Sequence, residues 1–158
     1  FTPLPRECHF SDWTTDRYAP RQAARMAQVL TALIGEEEAI LIGFSGGAHL
    51  ALRIAELRPT QGIVAVAGNL DDHLFSHYHQ LPPPGSPPTN PTRIPVWSIS
   101  GTEDSIVPPQ LADSMLKQVA AQDACRHHEV IDKANHTGPW QLDWNAIEAF
   151  QERCQPNR

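Results

Sequence analysis

The stretch AILIGFSGGAHLALRIAEL, residues 39–57, constrains the fold of this chain more than any other. Ala39, Ile40, Leu41 and Ile42 make the short apolar run expected of a strand covered on both faces. Gly43-Phe44-Ser45-Gly46-Gly47 interrupts it, and Leu50, Ile54 and Leu57 then recur at helical spacing with Ala48, Ala51 and Ala55 between them. A strand that turns sharply into a helix holds the serine between them in a strained backbone conformation and lifts its hydroxyl clear of the sheet. Gly43 and Gly47, two positions to either side, are expected to lack room for a Cβ. The helix aims its first N–H groups at the place where negative charge would develop. A phosphate-cradling loop is the competing reading, but the turn has neither the Gly-Lys-Ser/Thr ending of a P-loop nor G-x-G-x-x-G.

A chain of 158 residues, 41% hydrophobic and 19% charged, can bury one substantial core. We therefore expect a single domain over residues 1–158. No apolar run approaches membrane-spanning length, and a net charge of −6 argues against a general nucleic-acid surface. The three cysteines, Cys8, Cys125 and Cys154, lack metal-knuckle spacing, and their odd number leaves at least one outside any internal bridge. A Cys125–Cys154 disulfide is one of the pairings left open, and with it the compartment. The chain starts at Phe1, with nothing resembling a targeting segment; on this ground a processed product or a fragment is expected.

Residues 1–18 are polar and proline-containing, with aromatics at Phe10, Trp13 and Tyr18, and read as irregular. A helix is predicted from Pro20 to Gly35, its apolar positions Ala24, Met26, Val29, Leu30 and Leu33. Pro59 ends the helix after the serine turn, and Gly62–Gly68 (GIVAVAG) reads as a second buried strand. Residues 69–93 follow as a lid-like excursion whose LPPPGSPPTNP is too rich in proline for helix or interior strand. Ile94–Ser100 is a third strand, Pro109–Ala124 a helix and His128–Ile131 a short fourth strand. Leu142–Cys154 is a final helix with Trp144, Ile147 and Phe150 on its apolar side. The alternation implies a three-layer α/β/α architecture with a mainly parallel sheet. In such sheets reactive groups collect beyond the carboxyl ends of the strands.

Two loops there carry suitable residues. Gly101-Thr102-Glu103-Asp104-Ser105-Ile106-Val107-Pro108 follows the third strand, and Asn135-His136-Thr137-Gly138-Pro139-Trp140 follows the fourth. A carboxylate on the first can hold a histidine in one tautomer; Asp104 is the choice and Glu103 the fallback. Each residue alone is weak, since aspartates often only shape turns and the chain has eight histidines. What singles out His136 is the order Ser45, Asp104, His136, each just after a strand.

On these residues the chain resembles the α/β-hydrolase superfamily from about residue 20 onward, with Gly43–Gly47 matching its G-x-S-x-G nucleophile elbow. The run Ala65–Asp71 and the segment Trp13–Tyr18 are similar to a bacterial subgroup of small hydrolases. The resemblance implies Ser45 as nucleophile, His136 as base, Asp104 as orienting acid and Gly46 as donor of one oxyanion-hole N–H. It also marks a departure. The family's sheet normally has eight strands with the nucleophile on the fifth, and a second oxyanion donor comes from the loop after the third. Here about one helix precedes the nucleophile strand, so the N-terminal strands of the fold are absent and this strand is expected at a sheet edge. The chain is therefore expected to be part of a longer protein, and loss of one oxyanion donor costs about a hundred- to a thousandfold in turnover.

The chemistry implied is two-step acyl transfer on a carboxylic ester or related small-molecule acyl substrate, with no cofactor. Activity should fall as His136 becomes protonated. Phe44, Leu74, Phe75 and Trp140 suggest an apolar substrate pocket, though each could equally be core. A different class of function rests on Asp71, Asp72, His73, His77 and His79, whose side chains are metal-ligand types, although the spacing is irregular. A hydrolase-like scaffold without catalysis, serving as an interaction module, is the third reading.

Overall fold

The structure is a computed structural model that describes residues 18–85, 90–121 and 125–154. The irregular stretch expected before residue 18, including Trp13 and Cys8, lies outside the described residues. The elements run α1 (Tyr18–Ile34), β1 (Ala39–Phe44), α2 (Gly46–Ala55), β2 (Thr60–Val66), α3 (Asp72–Tyr78), β3 (Val96–Gly101), α4 (Pro109–Val119), β4 (Arg126–Ile131) and α5 (Trp144–Cys154).

The four strands form one sheet in the order β1-β2-β3-β4, every pair parallel. Because each strand is laid beside its predecessor in the same direction, crossovers of one hand bring the connecting helices to one face. Strand alternation shows this. Ile63, Ala65 and Val96 point into a core with Ala48, Ala51 and Leu52 of α2, Phe75 of α3, and Leu111, Met115, Leu116 and Val119 of α4. Val64, Val66, Trp97 and Ile99 point the other way, onto Ile147 and Phe150 of α5. The Trp97 and Phe150 rings meet edge-on at 5.3 Å. α1 is laid over α2, with Ala23, Ala27 and Ile54 at the junction. The result is the expected three-layer α/β/α fold.

Some boundaries differ from the sequence reading, for physical reasons. β2 starts at Thr60 and stops at Val66, because Ala67 has a left-handed φ of 45°. At Gly68 a Cβ would press on Ala48 Cβ at 2.7 Å. α4 ends at Val119, not Ala124: Thr92 pairs with Ala120, and the Ala121 N–H donates to the Thr92 carbonyl at 2.9 Å. Residues 122–124 lie outside the described set, as do residues 86–89 of the proline-rich excursion. That excursion opens not as irregular chain but as α3, capped by Asp71, whose carboxylate accepts from the Leu74 N–H at 2.9 Å.

The apolar spacing misleads in two helices. Met26, Val29 and Leu33 of α1 are exposed, while the small Ala23 and Ala27 are its buried contacts. Trp144 of α5 is also exposed; Ile147 and Phe150 are the buried apolar contacts of that helix, with Ala146 and Cys154 packed partly buried beside them. Leu57 falls beyond the end of α2 and is exposed. At its far end α5 is joined to the chain entering β4 by a Cys125–Cys154 disulfide, with Cα atoms 5.5 Å apart.

Candidate active site

Because all four strands run the same way, the turns following β1, β2, β3 and β4 gather at one edge of the sheet. Ser45 occupies the turn between β1 and α2 with φ 52° and ψ −123°, outside the regions that residues with a side chain favour. Three main-chain hydrogen bonds hold it there. The Ser45 N–H donates to Val66 O at 3.0 Å, and the Ser45 carbonyl accepts from Ala48 N at 3.1 Å and Asn69 N at 3.0 Å. Gly43 meets the steric expectation, since a Cβ there would overlap the backbone of Gly47 and Ala48. Gly47 does not, because nothing lies within 4 Å of where its Cβ would be.

The turn after β3 presents Asp104, with its side chain fully buried. Its Oδ1 accepts from the Ile106 and Val107 N–H groups, each at 2.8 Å, which fixes the carboxylate plane. Glu103 beside it is exposed, and its N–H is tied to the Ala134 carbonyl at 3.0 Å. The turn after β4 is tight: Asn135 and Gly138 exchange main-chain hydrogen bonds at 3.0 Å. The Asn135 side-chain oxygen accepts from the Thr137 N–H at 2.9 Å, and Gly138 takes a φ of 115°. His136 projects from that turn. Its Nδ1 lies 3.0 Å from Asp104 Oδ2 and its Nε2 lies 3.0 Å from Ser45 Oγ. Donation from Nδ1 to the carboxylate leaves the Nε2 lone pair facing the serine hydroxyl. Gly46, next to Ser45, opens α2, so its N–H belongs to the first helical turn, where no intrahelical acceptor exists.

Of the side chains expected to line a pocket, Phe44 alone is seen against these groups: it is 48% exposed, and its ring centroid is 5.2 Å from that of His136. Phe75 is a core residue, and Leu74 packs partly buried against the same core. Trp140 packs against the cluster under α5, on the opposite face of the sheet.

The Asp71–His79 run does not converge either. Asp71 caps α3, Asp72 faces His49 at 3.2 Å, and His79 Nε2 meets the Ile106 carbonyl at 2.7 Å. Among the described residues no group of three or more His, Cys, Asp or Glu side chains could hold a metal. No described helix is long and apolar enough to cross a membrane.

Sequence reasoning missed Asn69, His49 and Asp72 as partners. Asn69 Nδ2 donates to Asp72 Oδ1 at 2.6 Å, and all three residues are buried. The signal available was the capping pattern of Asn69-Leu70-Asp71-Asp72 ahead of a short apolar stretch. His49 stands in an alanine-rich helix with nothing to mark it. Its pKa lies below the ordinary imidazole value of 6.5, chiefly because burial disfavours the charged ring; the Asp72 carboxylate opposes that shift only in part.

Residues 15–137 match the family described as Phospholipase/Carboxylesterase. The chain belongs to that family. It thereby falls within the α/β-hydrolase superfamily. No curated relative matches it by sequence. Solved structures share the family's fold at low identity. One is an α/β serine hydrolase homologue from Coxiella burnetii (13% identity, TM-score 0.59, covering 98% of this chain and 64% of that one). Another is RedJ, a thioesterase of prodiginine biosynthesis in Streptomyces coelicolor (16%, TM-score 0.61, 77% and 63%). A third is an α/β hydrolase enzyme from the metagenome of lagoon sediments at Mar Chica, Morocco (21%, TM-score 0.58, 87% and 72%). The chain thus spans less than two thirds of the length of the first two, at 64% and 63%.

Proposed function

We propose that this chain carries the catalytic residues of a serine hydrolase acting on carboxylic esters or related acyl compounds. The observation that supports the reading most is the continuous hydrogen-bond line Asp104–His136–Ser45, with both links at 3.0 Å, ending on a serine in a strained turn. In it, His136 Nε2 takes the hydroxyl proton as Ser45 Oγ attacks the carbonyl carbon. Asp104 holds the ring in the required tautomer and stabilises the imidazolium that forms. The Gly46 N–H, at the positive end of α2, donates to the oxyanion. His136 then returns the proton to the leaving group. Water, activated by the same nitrogen, releases the acid from the acyl-enzyme. Phe44 borders the space above His136 and is the proposed apolar contact for the acyl or alcohol part. We extend this reading to one domain, in which the excursion after β2 borders the site.

A fluorophosphonate probe tests it. The folded protein should take up one probe at Ser45, and Ser45→Ala should take up none. Folded wild-type protein that resists the probe overturns the proposal.

A further inference from the structure

The short helix α3 touches both halves of the site, and neither contact belongs to the catalytic line itself. At its N-terminal end, Asp72 is 5% exposed and accepts from Asn69 Nδ2 at 2.6 Å; its other oxygen lies 3.2 Å from His49 Nε2. Asn69 is in turn the residue whose main-chain N–H holds the Ser45 carbonyl at 3.0 Å. Arg53 Nε also approaches His49 Nε2, at 3.4 Å, but one ring nitrogen cannot donate to Asp72 and accept from Arg53. The shorter contact, to a buried carboxylate, fixes Nε2 as the protonated nitrogen and leaves Nδ1 a bare lone pair. That assignment also spares the buried Nδ1, which has no partner among the described residues, from being an orphaned donor.

At the other end, His79 caps α3 and donates from Nε2 to the Ile106 carbonyl at 2.7 Å. Ile106 belongs to the turn whose N–H groups orient the Asp104 carboxylate. The His79 ring is fixed between Phe75, at 4.5 Å, and Tyr78, at 5.0 Å. Between the two ends the helix is anchored in the main core through Phe75, and Ser76 beside it is buried.

The geometry points to α3 as a strut that sets the distance between the serine turn and the acid turn, with Asp72 and His79 as positioning residues at its two ends. A serine turn in a disfavoured conformation relaxes unless its surroundings over-determine it. Asn69 supplies one of the three bonds that do so, and the buried Asp72–His49 pair stops Asn69 from drifting. The inference rests on Ser45 being the nucleophile. A misplacement of about 1 Å in such a constellation lowers turnover by roughly a hundredfold.

The test compares wild type with Asp72→Asn, His79→Phe and His79→Gln, reading fluorophosphonate labelling rate, melting temperature, and kcat and KM on an activated short-chain ester. An asparagine at 72 keeps the shape but has a single acceptor for two donors. Phenylalanine at 79 keeps the ring contacts and removes the donor, whereas glutamine restores an N–H. Asp72→Asn and His79→Phe should each lower the labelling rate and kcat by roughly ten- to a hundredfold at unchanged KM. His79→Gln should recover most of the loss. Wild-type labelling rates in folded Asp72→Asn and His79→Phe overturn the strut while leaving the nucleophile reading intact, as does a His79→Gln as slow as His79→Phe. Wild-type protein that fails to label overturns both. Should Asp72→Asn not fold, the His79 pair decides alone.

Discussion

The two outer glycines of Gly43–Gly47 look equivalent in sequence, yet the structure assigns them opposite consequences. At Gly43 an added Cβ would run into the main chain of Gly47 and Ala48, which cannot give way as a side-chain tip can. Those atoms form the first turn of α2, so the strain passes directly to Ser45 between them. Overpacking of this kind destabilises by about 1–3 kcal/mol, which for a chain of this size lowers the melting temperature by about 2–12 °C. At Gly47 the same methyl enters open space, in a residue that already has helical backbone within α2. Replacing glycine by alanine there removes backbone freedom from the unfolded chain and stabilises by up to about 1 kcal/mol. Differential scanning fluorimetry on Gly43→Ala and Gly47→Ala, run beside fluorophosphonate labelling, checks the contrast. Gly43→Ala should melt earlier and label slowly; Gly47→Ala should melt at or above wild type and label at a near-normal rate. Equal destabilisation by both would show that the turn is not held as the Ser45–Val66 and Ser45–Asn69 bonds indicate, and the steric argument would fail.

Three further outcomes follow from the same geometry. Asp104→Asn keeps an oxygen for the Ile106 and Val107 N–H groups but presents the wrong group to His136, so kcat should fall by about 10⁴-fold with little change in melting temperature; Asp104→Ala also orphans those two donors and should melt measurably earlier. The Cys125–Cys154 bridge spans 29 residues, and chain-entropy arithmetic for such a loop gives about 3.6 kcal/mol, so the double serine variant should lose about that much in urea titration. His49 and His128 both have pKa values lowered from 6.5, mainly by burial; because the unfolded chain then binds more protons below that pH, stability should be complete above pH 6.5 and decline as the pH falls toward the folded values, which urea midpoints measured across that range would reveal.

The alternation of strands and helices was legible because buried parallel strands are written as unbroken apolar runs, as in Ile63-Val64-Ala65-Val66. What escaped was polar or short. Thr60 extends β2 by pairing with Ala39 across an irregularity at Gln61, and Arg126 and His127 extend β4, because backbone pairing needs no apolar side chain. Seven residues are too few for α3 to display a helical period, so its aspartates and histidines looked like a ligand cluster. The stripe Met26, Val29 and Leu33 shows the opposite failure: its spacing is helical, but no described element covers it. At the candidate site, the meeting of Ser45, Asp104 and His136 within hydrogen-bond reach was legible from their order after strands. Asn69, Asp72 and His49 were not, since their partnership exists only once β2 and α2 are packed side by side.

The spacing of the strands explains one more feature of that site. Neighbouring strands lie about 4.8 Å apart, so a turn leaving β4 starts roughly 14 Å from β1. Yet His136, five residues beyond β4, reaches to 3.0 Å from the Ser45 hydroxyl. The histidine turn must therefore fold back across the end of β3, and its main chain has to pass close above that strand. Gly101 is where it passes: a Cβ there would overlap the carbonyl of Ala134. Immediately beyond, the crossing is laced by the Glu103 N–H to Ala134 O at 3.0 Å and by the Lys133 N–H to Thr102 Oγ1 at 2.8 Å. Gly101, the last residue of β3, and Gly43, the second-last of β1, thus do the same physical work. Each lets backbone approach backbone at the end of a strand, one to bend the serine turn and the other to bring the histidine over it. A side chain at either would separate Ser45 from His136 without touching either residue.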